Sequence, residues 1–125
     1  MTPNPTELEI LKLLWKSQPR TAKDIHEHLS LKYGWSYSST RKTLERMGTK
    51  GILSVGTQGH KKIFTANLEK IPTLAKCMRD FAANVLELDE PLPITMFADS
   101  RLIGKDEIDE LDELLQQLAK EEKEK

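Results

Sequence analysis

Residues 36–66 read SYSSTRKTLERMGTKGILSVGTQGHKKIFTA, and this stretch carries the clearest structural pattern in the chain. Its first part predicts a helix over Ser36–Thr49, with serines able to cap the start and the glycine of Lys50-Gly51 at the end. Two short runs rich in β-forming residues follow, Ile52–Val55 and Lys62–Thr65. Because the polar segment between them contains glycines, the two runs predict a β-hairpin with a loose tip.

Two further helices are predicted upstream of this stretch. Thr6 and Glu9 have the spacing of a capping box, and apolar residues recur at helical intervals at Leu8, Leu11, Leu14 and Trp15. A second helix is predicted to begin at a capping pattern, Thr21 to Asp24, and to end near Gly34. Three helices followed by a hairpin within about 65 residues is the element order of a winged helix-turn-helix.

The chain beyond Asn67 has a wholly helical pattern. An apolar stripe runs through Leu74, Cys77, Met78, Phe81, Val85 and Leu88. Pro91 and Pro93 then break the chain, a short helix is predicted over Ile94–Arg101, and a last helix begins after Gly104. The chain is therefore predicted to be mainly α with a small β-hairpin. Residues 1–69 would form a winged-helix domain and residues 70–125 a helical domain.

The formal charges are divided unevenly between the two parts. Residues 1–66 contain 11 Lys and Arg against 5 Asp and Glu, whereas residues 67–125 contain 8 against 15. These balances of +6 and −7 give the whole chain its net charge of −1. A basic part followed by an acidic part indicates a polyanion-binding domain joined to a segment with another role, although charges also cluster by chance on solvated faces.

The predicted helix over Ser36–Thr49 has a polar face suited to DNA, opposite the side that Thr40, Leu44 and Met47 would pack inward. Small hydroxyl residues at a helix start let free N–H groups approach phosphate, and Lys or Arg one turn later can reach guanine edges. The hairpin adds basic residues just after its glycine tip. We therefore expect double-stranded DNA to contact Ser38, Ser39, Arg41, Lys42 and Arg46 of the helix and His60, Lys61 and Lys62 of the hairpin. The alternative is an ordinary solvent-facing surface.

Two residues near this face have other expected roles. Glu45 is predicted to pair with Arg41 one helical turn earlier, although a carboxylate can also accept a hydrogen bond from cytosine N4. Trp35, just before the helix, is predicted to pack in the core.

The sequence offers little for catalysis, metal binding or membrane insertion. His26 and His28 diverge on a helix, and Cys77 falls on an apolar stripe, so we expect no enzyme activity, no metal and no cofactor. The chain has no apolar run long enough for a bilayer and no signal-peptide pattern. With a single cysteine it fits a reducing compartment, and we expect it in the cytoplasm.

The C-terminal helices have apolar stripes that need a second surface, and a twofold partner is the commonest source of one. The predicted dimerisation residues are Phe81, Val85, Leu88, Ile94, Phe97, Ile108, Leu111, Leu115 and Leu118. Two alternatives remain open. The stripes could fold back on the winged domain as one monomeric core, and the winged helix could be a protein-binding module without sequence-specific DNA binding.

The sequence resembles the penicillinase-repressor family, the BlaI/MecI group of bacterial winged-helix repressors. The resemblance runs nearly end to end, through Pro5–Glu9 with Leu14-Trp15, Thr21–Ile25, Gly34–Ser36, Leu44–Met47, Lys50–Leu53 and the turn at Gly59. It implies a homodimer that binds a palindromic operator and represses a resistance gene. It also implies DNA contacts from Ser38, Ser39, Lys42 and Arg46, and a hairpin contact from His60.

Departures from the family pattern concern the operator and the control of the repressor. The family usually has threonine where this chain has Ser39 and Lys42, and arginine where it has His60, so the operator sequence is expected to differ. In well-known members a membrane sensor-protease system leads to cleavage of an Asn-Phe bond. The matching pair here is Met96-Phe97, which leaves this route a hypothesis. A copper-responsive branch carries clustered cysteines, which Cys77 alone does not supply.

Overall fold

The computed structural model describes residues 2–123, which form five α-helices, one 3₁₀ turn and a three-stranded antiparallel sheet. The fold is the predicted one, mainly α with a winged helix-turn-helix followed by helices. In chain order the elements are α1 Pro5–Lys16, β1 Arg20–Thr21, α2 Ala22–Tyr33, α3 Tyr37–Thr49, β2 Leu53–Gln58, β3 Lys61–Ala66, α4 Lys70–Asn84, the 3₁₀ turn Ile94–Phe97 and α5 Lys105–Lys123. Two compact units are present, residues 3–68 and residues 69–123 together with Thr2.

Helix α1 begins at a different capping box from the predicted one. The side chain of Asn4 accepts from the backbone N–H of Glu7 at 2.8 Å, and the Glu7 carboxylate accepts from the backbone N–H of Asn4 at 3.0 Å. Pro5 suits the first helical position because it has no N–H to leave unsatisfied. The predicted Thr6–Glu9 box is therefore wrong, and Glu9 instead pairs with Lys12 at 2.7 Å.

Helices α2 and α3 begin and end where the sequence predicts. The hydroxyl of Thr21 accepts from the backbone N–H of Asp24 at 3.2 Å and caps α2. Gly34 ends that helix in the left-handed conformation, with φ of +69°. The Oγ of Ser36 then accepts from the backbone N–H of Ser39 at 3.1 Å and caps α3. The turn between the two helices is consequently short and closely defined.

The sheet has the order β1-β3-β2. β2 and β3 pair without interruption from Leu53 and Ala66 to Gln58 and Lys61, so the predicted loose tip is wrong. The hairpin instead closes in a tight turn at Gly59-His60. The strand β1 was not predicted from the sequence, and its two residues pair with β3 immediately before α2 begins. This pairing joins the middle of β3 to the residues that precede α2.

The core of residues 3–68 is built by all three helices and the hairpin. Its fully buried side chains include Ile10, Leu11, Leu14, Ile25, Leu29, Leu44 and Met47. Trp15 closes one side, where its indole N–H donates to the carbonyl oxygen of Leu68 at 2.9 Å. Trp35 packs against the same core, which confirms its predicted structural role.

In the second unit α4 packs against α5, around the buried residues Ile71, Leu74, Ala75, Ala82, Ile103, Leu111 and Leu115. Glu107 fixes the start of α5, because its carboxylate accepts from the N–H of Gly104 at 2.9 Å and from Lys70 at 2.8 Å. The helix predicted over residues 94–101 shortens to the 3₁₀ turn Ile94–Phe97. The hydroxyl of Ser100 accepts from the backbone N–H groups of Leu102 and Ile103, which favours a turn over a continuing helix.

Candidate nucleic-acid interface

One side of α3 is buried and the other faces solvent. Thr40, Leu44 and Met47 are buried, as the helical pattern predicts. The side chains predicted to contact DNA are all exposed, namely Ser38, Ser39, Arg41, Lys42 and Arg46. Because α3 is only lightly covered on this side, it can enter a groove as wide as the major groove of DNA.

The start of α3 is held by α2 beneath it. His26 is half-buried, and its Nδ1 lies 3.0 Å from the hydroxyl oxygen of Thr40. The His26 ring also meets Tyr37 edge to face, with 5.2 Å between the ring centroids. The sequence alone does not indicate this role of His26, because the contact with α3 depends on the packing of two helices.

The hairpin presents three basic residues at and beyond its turn. Gly59 has φ of +66°, a conformation that costs glycine little, and His60 completes the two-residue turn. His60, Lys61 and Lys62 are all exposed. β1 pairs with Ile63 and Phe64 in the middle of β3, so Lys61 and Lys62 project from a supported strand and His60 from the turn that it closes.

A groove runs between α3 and the hairpin. Arg41 and Tyr37 line it from the helix, and Lys62 lines it from β3. Leu44, Leu53 and Phe64 form its apolar floor. The groove therefore brings a cation of the helix and a cation of the hairpin to one surface. Tyr37, half-exposed at the first position of α3, is a lining residue that the sequence analysis did not single out.

A second groove lies on the other side of α3, against the start of α1, and Ser39, Lys42 and Arg46 line it. At its edge Lys50 forms an ion pair with Glu7 at 2.8 Å. Burial by itself raises the pKa of Glu7. The hydrogen bonds from Lys50 and the Asn4 backbone, with the charges of Lys50 and Arg46, outweigh this and hold the pKa below its usual 4.5. The charge of Lys50 is therefore paired with that of Glu7 within the protein.

Glu45 does not make its predicted ion pair. It is exposed and lines both grooves, together with Thr49. Within the described residues its carboxylate has no ion pair and no hydrogen bond, so the expected pairing with Arg41 is wrong. The i, i+4 spacing permits such a pair but does not require it, because both side chains are long and solvated.

The residues predicted to form a dimer fall into three groups in the second unit, according to their exposure. Phe81, Val85 and Leu88 are exposed, and Val85 is 64% exposed. Leu111 and Leu115 are buried inside the unit itself, at 0% and 3% exposure, so this fold does not leave them free for a partner. Ile94, Phe97, Ile108 and Leu118 are half-buried. Leu86 and Met96 are exposed apolar residues outside the predicted dimer set.

Other site types find no support in the part of the chain that the structure describes. Residues 2–123 contain no group of three or more His, Cys, Asp or Glu placed to hold a metal ion. Burial, followed by the charge of Asp80, raises the pKa of the half-buried Cys77 thiol, which disfavours the reactive thiolate. None of the helices in this range is long and apolar enough to cross a membrane.

Comparison with known proteins finds a matching family model, a similar protein and a similar solved structure. The family model described as Penicillinase repressor matches residues 4–117, and so extends over both compact units. The chain is similar to the penicillinase repressor of Bacillus licheniformis, with 23% identity over 118 residues that cover 94% of this chain and 92% of that protein. It is also similar to the solution structure of the DNA-binding domain of the repressor BlaI, with a TM-score of 0.50 and 26% identity. That match covers 56% of this chain and 90% of the BlaI domain.

Proposed function

Because the chain belongs to the penicillinase-repressor family, it is a transcriptional repressor rather than an enzyme, and we propose that it binds a palindromic DNA operator as a homodimer. The observation that carries this proposal is the exposed basic surface formed by α3 and the hairpin. Arg41 and Lys62 line one groove of this surface, and Lys42 and Arg46 line the other.

The proposed contacts follow from the chemistry of each side chain. Ser38 and Ser39 are small, so the start of α3 can approach the phosphate backbone closely. Lys42 and Arg46 are one to two turns further along, where they reach guanine O6 and N7 or an adjacent phosphate. Arg41 of α3, with His60, Lys61 and Lys62 of the hairpin, would bind the flanking backbone. All of these side chains are exposed in the unbound protein.

We propose that the two parts of the chain divide these roles, with residues 1–69 binding DNA and residues 70–125 forming the dimer. The proposed partner surface contains Phe81, Val85 and Leu88, which expose apolar area near the end of α4. A second copy of the chain is the simplest cover for such a surface. A dimer would hold two α3 helices at a fixed separation, so each would meet one half-site, about 34–36 Å from the other for one turn of DNA.

The regulated gene and its inducing route are proposed from the family. We propose that the chain represses a resistance-type gene, such as a β-lactamase gene. We also propose that it is a cytoplasmic repressor that is inactivated by proteolysis after Met96, under the control of a membrane sensor-protease system. Met96 is 64% exposed in the 3₁₀ turn, which supports access by a protease. Mass spectrometry of the chain after induction tests this route, and an intact chain throughout derepression would exclude it.

The experiment for DNA binding is a mobility-shift titration against the promoter region of the protein's own gene at physiological salt. A shift that resists excess unrelated DNA, with two chains per operator by sedimentation, is the expected result. A shift abolished equally by unrelated DNA would show that the surface binds polyanions without sequence specificity. No shift on that promoter or on a genome-wide DNA selection would favour the alternative, a winged helix that binds protein.

A further inference from the structure

We infer that Glu45 is a specificity-determining residue, which accepts a hydrogen bond from the exocyclic amino group of a cytosine in the major groove. This inference rests on the proposed function, because it concerns how the same helix face prefers one DNA sequence to another. It is carried by the position of Glu45, by its free carboxylate and by the hydrogen-bonding groups that DNA presents.

Glu45 lies on the outermost ridge of α3. It lines the groove between α3 and the hairpin, and it also lines the groove between α3 and the start of α1. A residue that borders both grooves must lie between them, on the side of α3 opposite its buried face. Thr49, one turn later, shares both grooves and marks the same ridge. DNA that receives α3 in its major groove therefore meets Glu45 at the centre of the contact.

The Glu45 carboxylate is free to form a new hydrogen bond. Within residues 2–123 no cation lies at ion-pair distance from it. Arg41 lines only the groove on the hairpin side, and a guanidinium N–H of Arg46 donates to the hydroxyl of Thr43 at 3.3 Å. Glu45 would consequently bind a base without first giving up a partner within the protein.

The chemistry of the major groove limits what a carboxylate can bind. An ionised carboxylate only accepts hydrogen bonds, and both phosphate and the acceptors guanine O6, guanine N7 and thymine O4 repel it. Two donors remain, the amino groups of adenine and cytosine. The adenine amino group lies between two acceptors, thymine O4 and adenine N7, whereas the cytosine amino group has a C–H on one side. Cytosine is therefore the favoured partner.

The negative charge of Glu45 also lowers the affinity for DNA, and this loss contributes to sequence specificity. Lys42 and Arg46 attract any DNA through its phosphates. Glu45 opposes binding wherever no amino group meets it, so it lowers affinity for unrelated DNA more than for the operator. Specificity is a difference between two affinities, and a repulsive element raises it as effectively as an attractive one.

The test is a selection of binding sites from a randomised DNA pool, followed by affinity measurements on the selected operator and its single-base variants. Wild type is compared with Glu45→Ala and Glu45→Gln. The matched control is Glu27→Gln, which removes the same charge from an exposed position on α2. Because Glu45 and Glu27 are exposed, we expect all variants to melt as wild type does, and the melts are recorded to check this.

For wild type we expect one cytosine in each half-site whose replacement weakens binding about tenfold. In Glu45→Ala that discrimination should fall below about twofold at this position, with the other positions unchanged, because a single base contact has been removed. The variant should also bind unrelated DNA more tightly than wild type does. In Glu45→Gln the preferred base should change to adenine, which pairs with an amide through N6 and N7. The control should behave as wild type.

Two results would overturn the inference without touching the proposed function. One is a Glu45→Ala variant that keeps wild-type discrimination at every position. The other is a position that loses its preference in that variant but prefers a base other than cytosine in wild type. A wild-type protein with no base preference anywhere would instead overturn the proposed function itself.

Discussion

The Nδ1 atom of His26 lies 3.0 Å from the Oγ1 atom of Thr40, so two polar side chains join α2 to the first turn of α3. The Thr40 hydroxyl is fully buried and also donates to the carbonyl oxygen of Ser36 at 3.3 Å. Which of the two atoms donates in the contact with His26 depends on the tautomer of the imidazole ring. This contact fixes the end of α3 that would enter DNA first.

Replacing Thr40 with Val keeps the shape of the side chain and removes the hydroxyl. We expect the free energy of unfolding to fall by about 1–3 kcal/mol, because the Nδ1 atom of His26 is left half-buried without its partner. Urea denaturation measures the loss. The double variant His26→Leu with Thr40→Val should lose less than the two single variants together, since neither polar group is then stranded. Strict additivity would show that the contact has no energetic role.

The Glu7 ion pair makes stability depend on pH at the acidic end. The pKa of Glu7 is below 4.5 in the folded protein, so its contribution is complete above that value and is lost as the pH falls through the folded pKa. We expect Glu7→Gln to lower the free energy of unfolding at pH 7 by about 1–3 kcal/mol. The difference from wild type should shrink below pH 4.5. A constant difference from pH 7 to pH 3 would contradict this account.

The tight turn of the hairpin requires glycine at position 59. An added Cβ would meet no neighbour there, but φ of +66° strains any side chain, and we expect Gly59→Ala to cost about 1–2 kcal/mol. Gly56→Ala is the matched control, because its Cβ would lie 3.5 Å from a carbon of Ile63, an ordinary contact in a strand. Thermal melts of both variants test the difference, and equal losses would show that strain at the turn is not the cause.

Lys42 is exposed, and its side chain makes no ion pair or hydrogen bond within the described residues that truncation would remove. We expect Lys42→Ala to bind the operator more weakly at an unchanged melting temperature. If Lys42 binds a phosphate, the slope of log affinity against log salt should also become shallower by about one unit. Lys76→Ala removes the same charge from an exposed position of α4 and should change neither quantity. Equal affinity losses in the two variants would point to net charge alone.

The exposed and buried apolar residues of the second unit should respond differently to a charge. Leu111→Asp places a carboxylate at a fully buried position, and we expect it to unfold this unit, since even Leu→Ala costs about 2–5 kcal/mol in a core. Val85→Asp should leave the helical content intact and yield monomers by sedimentation. A Val85→Asp protein that remains dimeric would exclude this surface as the dimer contact.

Helix boundaries were predictable where one capping signal stood alone. Thr21 and Ser36 begin their helices as predicted, because no rival pattern lies beside them. At α1 two patterns overlap, Asn4 to Glu7 and Thr6 to Glu9, and both satisfy the same spacing rule. The first prevails because Pro5 suits the opening helical position, a detail that the apolar stripe further along does not reveal.

Most of the structural features that could not be predicted from the sequence depend on contacts between residues far apart in the chain. β1 is only two residues long and exists through its pairing with β3, more than 40 residues later. The apolar repeat of α5 indicated that Leu111 and Leu115 contact a partner chain, whereas both are buried inside their own unit. Periodicity does not say which surface covers an apolar stripe. The contact of His26 with Thr40 could not be predicted for the same reason, because it depends on how α2 and α3 pack and not on the sequence of either helix.

The site was predictable to the level of a helix face and a hairpin. Exposure of Lys42 and Arg46 follows from the helical wheel once Thr40, Leu44 and Met47 are placed inside. The state of Glu45 did not follow, because an ion pair between two solvated side chains depends on small energy differences that spacing does not encode.

Trp15 and Trp35 are the two tryptophans of the chain, and both pack on the core of residues 3–68. Indole emission changes colour when the ring leaves an apolar environment for water. Tryptophan fluorescence therefore reports the unfolding of this unit alone, whereas circular dichroism also records α4 and α5. The melting of the two units can therefore be measured separately without attaching a dye, by comparing tryptophan fluorescence with circular dichroism.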